Sequence, residues 1–228
     1  MKANVKILIL CVIAFFTACN TSQQIVYDIS KYQSVSESVN VSLSIQTFED
    51  IRQELSDNLS QLYAKDVVIV TSEKYCINAE KIYKIPVGQQ LADMLGKYLN
   101  KKSYFANVLI NQNEQTDYYV TAKVKRFIGY QKYSTAKTDA TILFGLIGAL
   151  ATMNLKTEGK IVIELSDICL YNKAGILIAE IGDFKKEYEG DFPIDSSCYC
   201  IYQNINQSLA DFNEELGAIL FQEIKKLN

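Results

Sequence analysis

Residues 159–188 read GKIVIELSDICLYNKAGILIAEIGDFKKEY, and this stretch decides the fold. Two runs rich in Ile, Val, Leu and Tyr, 160–172 and 176–188, flank Lys173-Ala174-Gly175. β-branched and aromatic side chains suit the pleated surface of a strand, and a short link whose glycine takes positive φ without steric cost joins two strands as a hairpin. A lone hairpin is marginal in water, so the rest of the chain must supply more strands and a layer that covers them.

Working outward, 117–130 alternates Tyr118, Val120, Ala122, Val124 and Ile128 with Tyr119, Thr121, Lys123 and Lys125. Residues 39–46 alternate Val39, Val41, Leu43 and Ile45 with Asn40, Ser42, Ser44 and Gln46. A period of two lines one face with apolar groups and predicts half-buried strands. The short apolar run 67–70 predicts a buried strand. For the covering layer, Pro86 opens a helix whose Val87, Leu91, Met94, Leu95, Tyr98 and Leu99 form one stripe. The chain closes on a longer helix with Ile201, Ile205, Leu209, Phe212, Leu216, Ile219 and Ile224 on one side. Its last turn holds Lys225 and Lys226, which suit the negative end of a helix dipole. Between them, Ile51, Leu55, Leu59 and Leu62 suggest a helix after Asp50. The expected class is α+β: a mostly antiparallel sheet with helices packed on one face, including a long C-terminal amphipathic helix.

The amino terminus carries Lys2 and Lys6, the apolar run 7–16, and then Phe16-Thr17-Ala18-Cys19. A basic start, a short greasy core and a small residue before the cut describe an export signal, too short to span a bilayer. The tetrapeptide resembles the lipobox of bacterial lipoproteins, with Phe16 where an aliphatic residue is usual. That resemblance implies cleavage before Cys19, a diacylglyceryl thioether on its sulfur and acylation of its freed amine. Each buried methylene contributes about 0.8 kcal/mol, so three chains hold a protein to a membrane essentially permanently. Residues 1–18 are then the signal peptide, 19–38 the lipidated terminus and a polar flexible tether, and 39–228 a single periplasmic domain. The mature chain keeps 210 of the 228 residues, and losing Lys2 and Lys6 takes the formal charge from -3 to -5. That is ample length for one core.

Three stretches carry a wider resemblance. VSLSIQTFEDIR (41–52), DYYVTAKVKRF (117–127) and GKIVIELSDICLYNKAGILI (159–178) are similar to the opening strand and loop, the second strand and the hairpin of bacterial envelope lipoproteins with a TolB amino-terminal-like fold. These include auxiliary lipoproteins of ABC-type transport systems and the curli secretion lipoprotein. Within the turn only Gly175 matches well. The resemblance implies a non-catalytic accessory factor in envelope transport or assembly, with a protein partner in the envelope. Asn20 is not the aspartate linked to inner-membrane retention, and 20–24 lacks the acidic cluster resembling surface-export signals. The expected place is therefore the periplasmic face of the outer membrane of a Gram-negative bacterium.

Composition excludes other chemistry. There is no histidine, which removes Ser-His-Asp and Cys-His nucleophile pairs, His-ligated zinc and the usual neutral-pH base. No catalytic residues, cofactor or metal are expected. An acidic chain without a Lys/Arg cluster argues against nucleic acid as a partner. Cys76, Cys169, Cys198 and Cys200 admit disulfides in an oxidising compartment, a zinc site lacking the usual paired C-x2-C spacing, or buried thiols. Cys198 and Cys200 would close a strained ring together, so each fits better with Cys76 or Cys169. Glu180, Asp183, Glu187, Glu189, Asp191 and Asp195 read as a solvated loop or guarded strand edge. The uncharged run 142–153 is about 18 Å long as a helix, too short to span the membrane. It is core, or its Leu143, Phe144, Leu146, Ile147 and Leu150 contact a partner or the membrane surface. Fifteen tyrosines with no tryptophan leave a second functional reading, a Tyr-lined groove for glycan or peptide.

Overall fold

The turn at Lys173-Ala174-Gly175 closes the hairpin. Gly175 takes φ 78° and its N–H donates to the Asn172 carbonyl at 2.9 Å. The Asn172 side-chain oxygen accepts the N–H groups of Ala174 and Ile176, both at 3.0 Å. In the computed structural model, residues 29, 32–52, 85–131, 156–193 and 199–227 are described, with backbone only at 128–131, 156–158, 192–193 and 199–207. Among them the strands are β1 (Val39–Ile45), β2 (Glu49–Asp50), β3 (Phe105–Ile110), β4 (Tyr118–Gln131), β5 (Lys156–Asn172) and β6 (Leu177–Pro193). The α-helices are α1 (Val87–Lys102) and α2 (Tyr199–Lys225), with a short 3-10 helix at Asn113–Gln115.

The sheet runs β3-β1-β4-β5-β6, with β2 continuing beside β4 beyond β1. It is mixed, which corrects the expectation of a mostly antiparallel sheet. β1 lies parallel to both β3 and β4, and β2 parallel to β4, while β4–β5 and β5–β6 are antiparallel. The reason is connectivity: the chain returns through α1 before β3, so β3 re-enters in the direction of β1. Residues 111–117 then lie across β1. Asn111 N–H donates to the Ile45 carbonyl (3.0 Å), Gln112 N–H to Ser44 Oγ (3.0 Å) and Asp117 N–H to the Ser42 carbonyl (3.1 Å). Ser44 is therefore buried although its alternation points it away from the helices.

Leu43, Ile45, Val120, Val124, Phe127, Ile161, Ile163, Leu165, Ile168 and Leu170 form the sheet side of the core. The stripe of α1 and the α2 residues Leu209, Phe212, Leu216, Leu220, Phe221 and Ile224 form the other side. Each such side chain contributes about 1.5–3 kcal/mol on burial. Helix α1 starts at Pro86 and stops at Ser103, whose left-handed φ of 60° turns its N–H onto the Leu99 and Asn100 carbonyls. Asn100 then brackets β3 from outside: its side chain donates to the Val108 carbonyl (2.9 Å) and accepts from the Val108 N–H (3.2 Å). A side-chain amide thus occupies groups that an edge strand leaves open.

One expectation shifts before β1. Tyr32 is buried in the core with its ring edge-on to Tyr98 at 5.0 Å, and Val35 N–H donates to the Lys102 carbonyl at 2.9 Å. Half-buried Ile29 packs on the same core. The docked chain therefore reaches back into the stretch read as tether. After β1, Phe48 is core and Glu49–Asp50 pair with β4. Arg52 is helical, and the rest of the helix expected after Asp50 lies outside the described residues. Residues 53–84, with the predicted strand 67–70, lie outside the described residues.

Candidate functional site

Both described helices lie on one face of the sheet, and the opposite face is laid out by the strand register. Along β4, Tyr119, Thr121, Lys123 and Lys125 alternate with the buried Val120, Ala122 and Val124. Across it, Tyr119 faces Tyr171 and Thr121 faces Cys169, which in turn faces Glu180 on β6. Two bulges then break the alternation. On β4 the register slips between Val124 and Arg126, so Lys125 and Arg126 both meet Glu164 on β5. Lys125 Nζ stands 3.0 Å from one Glu164 oxygen and Arg126 Nε 3.2 Å from the other. A bulge that turns two cations toward one carboxylate accounts for a glutamate only 6% exposed. On β5 the slip at Asp167, φ 50°, brings its carboxylate 3.0 Å from Lys123 Nζ.

Charges continue in pairs onto β6. Lys125 also meets Asp183 at 3.0 Å, and Glu187 bonds both Lys160 and Lys185. The hydrogen bonds that the Lys125 ammonium donates to Glu164 and then Asp183 push its pKa above the ordinary range. Those from Lys160 and Lys185 pull the Glu187 carboxyl down to about 2. At the start of β4, the Ser42 N–H (2.8 Å) and hydroxyl (2.7 Å) both donate to Asp117 and hold its carboxyl below the usual range. The acidic stretch of β6 is therefore a charged strand at the edge of the sheet among the described residues, alternating with Lys185 and Lys186 and bent at Gly182, φ 81°. Such features discourage further strand pairing. The described residues hold no group of three His, Cys, Asp or Glu side chains arranged for a metal.

The aromatic feature of this face is the Tyr119–Tyr171 pair, stacked with centroids 5.1 Å apart and 13° between planes. The neighbouring Cys169, foremost, raises the Tyr171 hydroxyl pKa. Beyond the pair lies the β5–β6 turn, where Ile176 and Leu177 are 60% and 48% exposed. At this same end β1 begins, α1 finishes at Lys102, and Lys225 at the end of α2 is paired with Glu37. Leu227, 48% exposed, follows. The turn, the entry of the chain and the C-terminal ends of both helices thus share one end of the sheet.

Of the residues singled out in the sequence, Cys169 is a half-buried free thiol on β5. Cys19, Cys76, Cys198 and the run 142–153 lie outside the described residues, and Cys200 is placed by backbone alone in the first turn of α2. Sequence reading missed the cluster of Lys125, Arg126 and Glu164. Its signal was the doubled polar step Lys125-Arg126 between Val124 and Phe127, repeated on β5 as Ser166-Asp167 between Leu165 and Ile168. No helix among the described residues is long and apolar enough to cross a membrane.

No family model matches the chain, and neither does any curated protein sequence. Among solved structures, the chain is similar to a crystal structure of a Xanthomonas campestris protein of family model DUF330, at 12% identity and TM-score 0.48, covering 86% of this chain and 93% of that one. It is similar to the solution structure of uncharacterized lipoprotein B from Nitrosomonas europaea, at 9% identity and TM-score 0.40, covering 86% and 90%. A third similar structure is described as a neuraminyllactose-binding hemagglutinin homolog from Helicobacter pylori, at 7% identity and TM-score 0.35, covering 90% and 100%.

Proposed function

We propose that the protein is a lipid-anchored, non-catalytic lipoprotein of a Gram-negative bacterium, held at the periplasmic face of the outer membrane and acting as an accessory factor in envelope transport or assembly. The observation that carries the reading is the amino terminus: a signal-like stretch 1–18 immediately before Cys19, followed ten residues later by chain docked on the domain at Ile29. Support for a non-catalytic role comes from the absence of histidine and from carboxylates spent in ion pairs across the face opposite the helices. This reading takes residues 142–153, within the segment 132–155 between β4 and β5, as a partner contact in place of the alternative that they are core.

Radiolabelled palmitate enters the wild type and not Cys19→Ala, and the labelled protein sediments with outer membranes on a density gradient. Equal labelling of both overturns the anchor. A photo-crosslinking amino acid at Leu146 forms a discrete adduct with one envelope protein in intact cells, and the same probe at Glu189 does not. Adducts at neither site, or equally at both, overturn the accessory role. A second reading, recognition of glycan or peptide, is favoured by the half-buried Tyr119–Tyr171 stack on the face opposite the helices. It requires Tyr171→Ala to weaken binding to peptidoglycan fragments at least ten-fold.

A further inference from the structure

We propose that the end of the domain bearing the β5–β6 turn and the last turn of α2 is its membrane-facing end, seated on the phospholipid headgroups of the leaflet that holds the anchor. The inference rests on the lipoprotein reading and deepens it. The argument starts from reach. Ile29 packs on the core, Tyr32 is buried against Tyr98, and Val35 and Val39 donate N–H bonds to the Lys102 and Tyr104 carbonyls. From Tyr32 onward the chain is thus fastened to the end of the sheet where β1 begins. Only ten residue steps separate Ile29 from Cys19. Even fully extended they span at most about 35 Å. The opposite end, where β4 stops and β5 starts, lies about 50 Å away along the 17 residues of β5. With the domain upright on its tether, the entry end stands at the membrane and the end where β4 stops and β5 starts is turned away from it.

The chemistry of the entry end suits that position. Ile176 at the end of the turn and Leu177 at the first position of β6 are 60% and 48% exposed, and the turn is fixed. Five hydrogen bonds hold it: Asn172 N–H to the Ile176 carbonyl, Lys173 N–H to the Asp117 carbonyl, Gly175 N–H to the Asn172 carbonyl, and two onto the Asn172 side-chain oxygen. Leu227, 48% exposed, is the third large exposed hydrophobic among the described residues, and all three lie at this end. Lys173, Lys225 and Lys226 stand beside them, exposed at the same end. Lysine stems lie along an apolar surface while their ammonium groups stay in water, which fits the headgroup layer. Lys225 and Lys226 are already paired with Glu37 and Glu223, so the contact draws on apolar insertion more than on charge.

The test uses the full-length lipidated protein purified from membranes and reconstituted into vesicles of phosphatidylethanolamine and phosphatidylglycerol carrying a headgroup nitroxide quencher. A fluorescent amino acid replaces Ile176 or, in a second protein, Glu189 toward the far end of β6. Quenching at position 176 is expected to exceed that at 189 at least five-fold. In a third protein, labelled at Leu227, the exposed-site pair I176D/L177D lowers quenching at least two-fold while palmitate incorporation stays unchanged. Equal or reversed quenching in palmitate-labelled protein overturns this orientation and leaves the anchor standing. A wild type that takes up no palmitate overturns both. Conversion of an oligomer to a monomer by I176D/L177D in detergent assigns the surface to a second copy of the chain and also overturns the proposal.

Discussion

Replacing Gly88 by alanine sets two effects against each other, and the structure decides the sign. Helix propensity favours alanine over glycine by up to about 1 kcal/mol. At Gly88, however, an added Cβ would stand 2.0 Å from the Phe48 carbonyl oxygen and 3.0 Å from its carbon. The obstacle is backbone. Phe48 is buried, its own N–H points at the Gly88 carbonyl at 3.4 Å, and Ile51 shortly after donates to Val124 on β4 at 3.2 Å. Relief therefore requires the start of α1 to move off the sheet by more than about 1 Å, at the upper end of the 1–3 kcal/mol usual for overpacking. A net loss of about 2–3 kcal/mol follows, or roughly 5–10 °C in thermal midpoint at this chain length. Gly96→Ala is the control, because its Cβ meets the end of the half-buried Ile110 side chain at 2.6 Å, which can rotate away. It is expected within about 0.5 kcal/mol of wild type. Gly217→Ala, facing the fully buried Tyr98 and Leu99 at 2.8 and 2.9 Å, falls between them. Urea and thermal unfolding followed by circular dichroism rank the three, and a Gly88→Ala protein as stable as Gly96→Ala would refute the seating of α1 on Phe48.

Three further outcomes are expected. Glu187 titrates in the folded state at about 2, below its ordinary 4.5, so its contribution is complete above pH 4.5 and is lost as pH falls towards 2. With its side chain 35% exposed the contribution is screened to about 1 kcal/mol or less, and Lys160→Met should flatten the acid limb of a stability–pH curve; an unchanged limb contradicts the pairing. Tyr32→Ala should cost about 3 kcal/mol and open residues 32–38 to limited proteolysis, whereas an unchanged digestion pattern would show that this stretch is not docked. With Cys169 a free thiol, we expect any disulfide to join Cys76 to Cys198 or Cys200, and peptide mapping without reductant that finds Cys169 crosslinked contradicts this.

What the sequence by itself determined is what rests on neighbouring residues. The β5–β6 hairpin follows from runs rich in β-branched and aromatic residues on both sides of Lys173-Ala174-Gly175, α1 from Pro86 and its apolar stripe, and α2 from a stripe carried to Ile224. Those signals are local, because a side chain's face is set by its own strand or helix period. Strand direction has no such local signal, and the parallel pairing of β1 with β3 and β4 emerged only from the route of the chain through α1 and back across β1. The end of the tether was hidden for a similar reason: Tyr32 sits in a polar stretch and is buried only because Tyr98, from α1, closes over it. The ion cluster on the face opposite the helices was half legible. The doubled polar steps at Lys125-Arg126 and Ser166-Asp167 mark where alternation slips, but only the register across β4 and β5 sets Glu164 between two cations. Contacts between residues far apart in the chain depend on which strands become neighbours, and that choice belongs to the packed core as a whole.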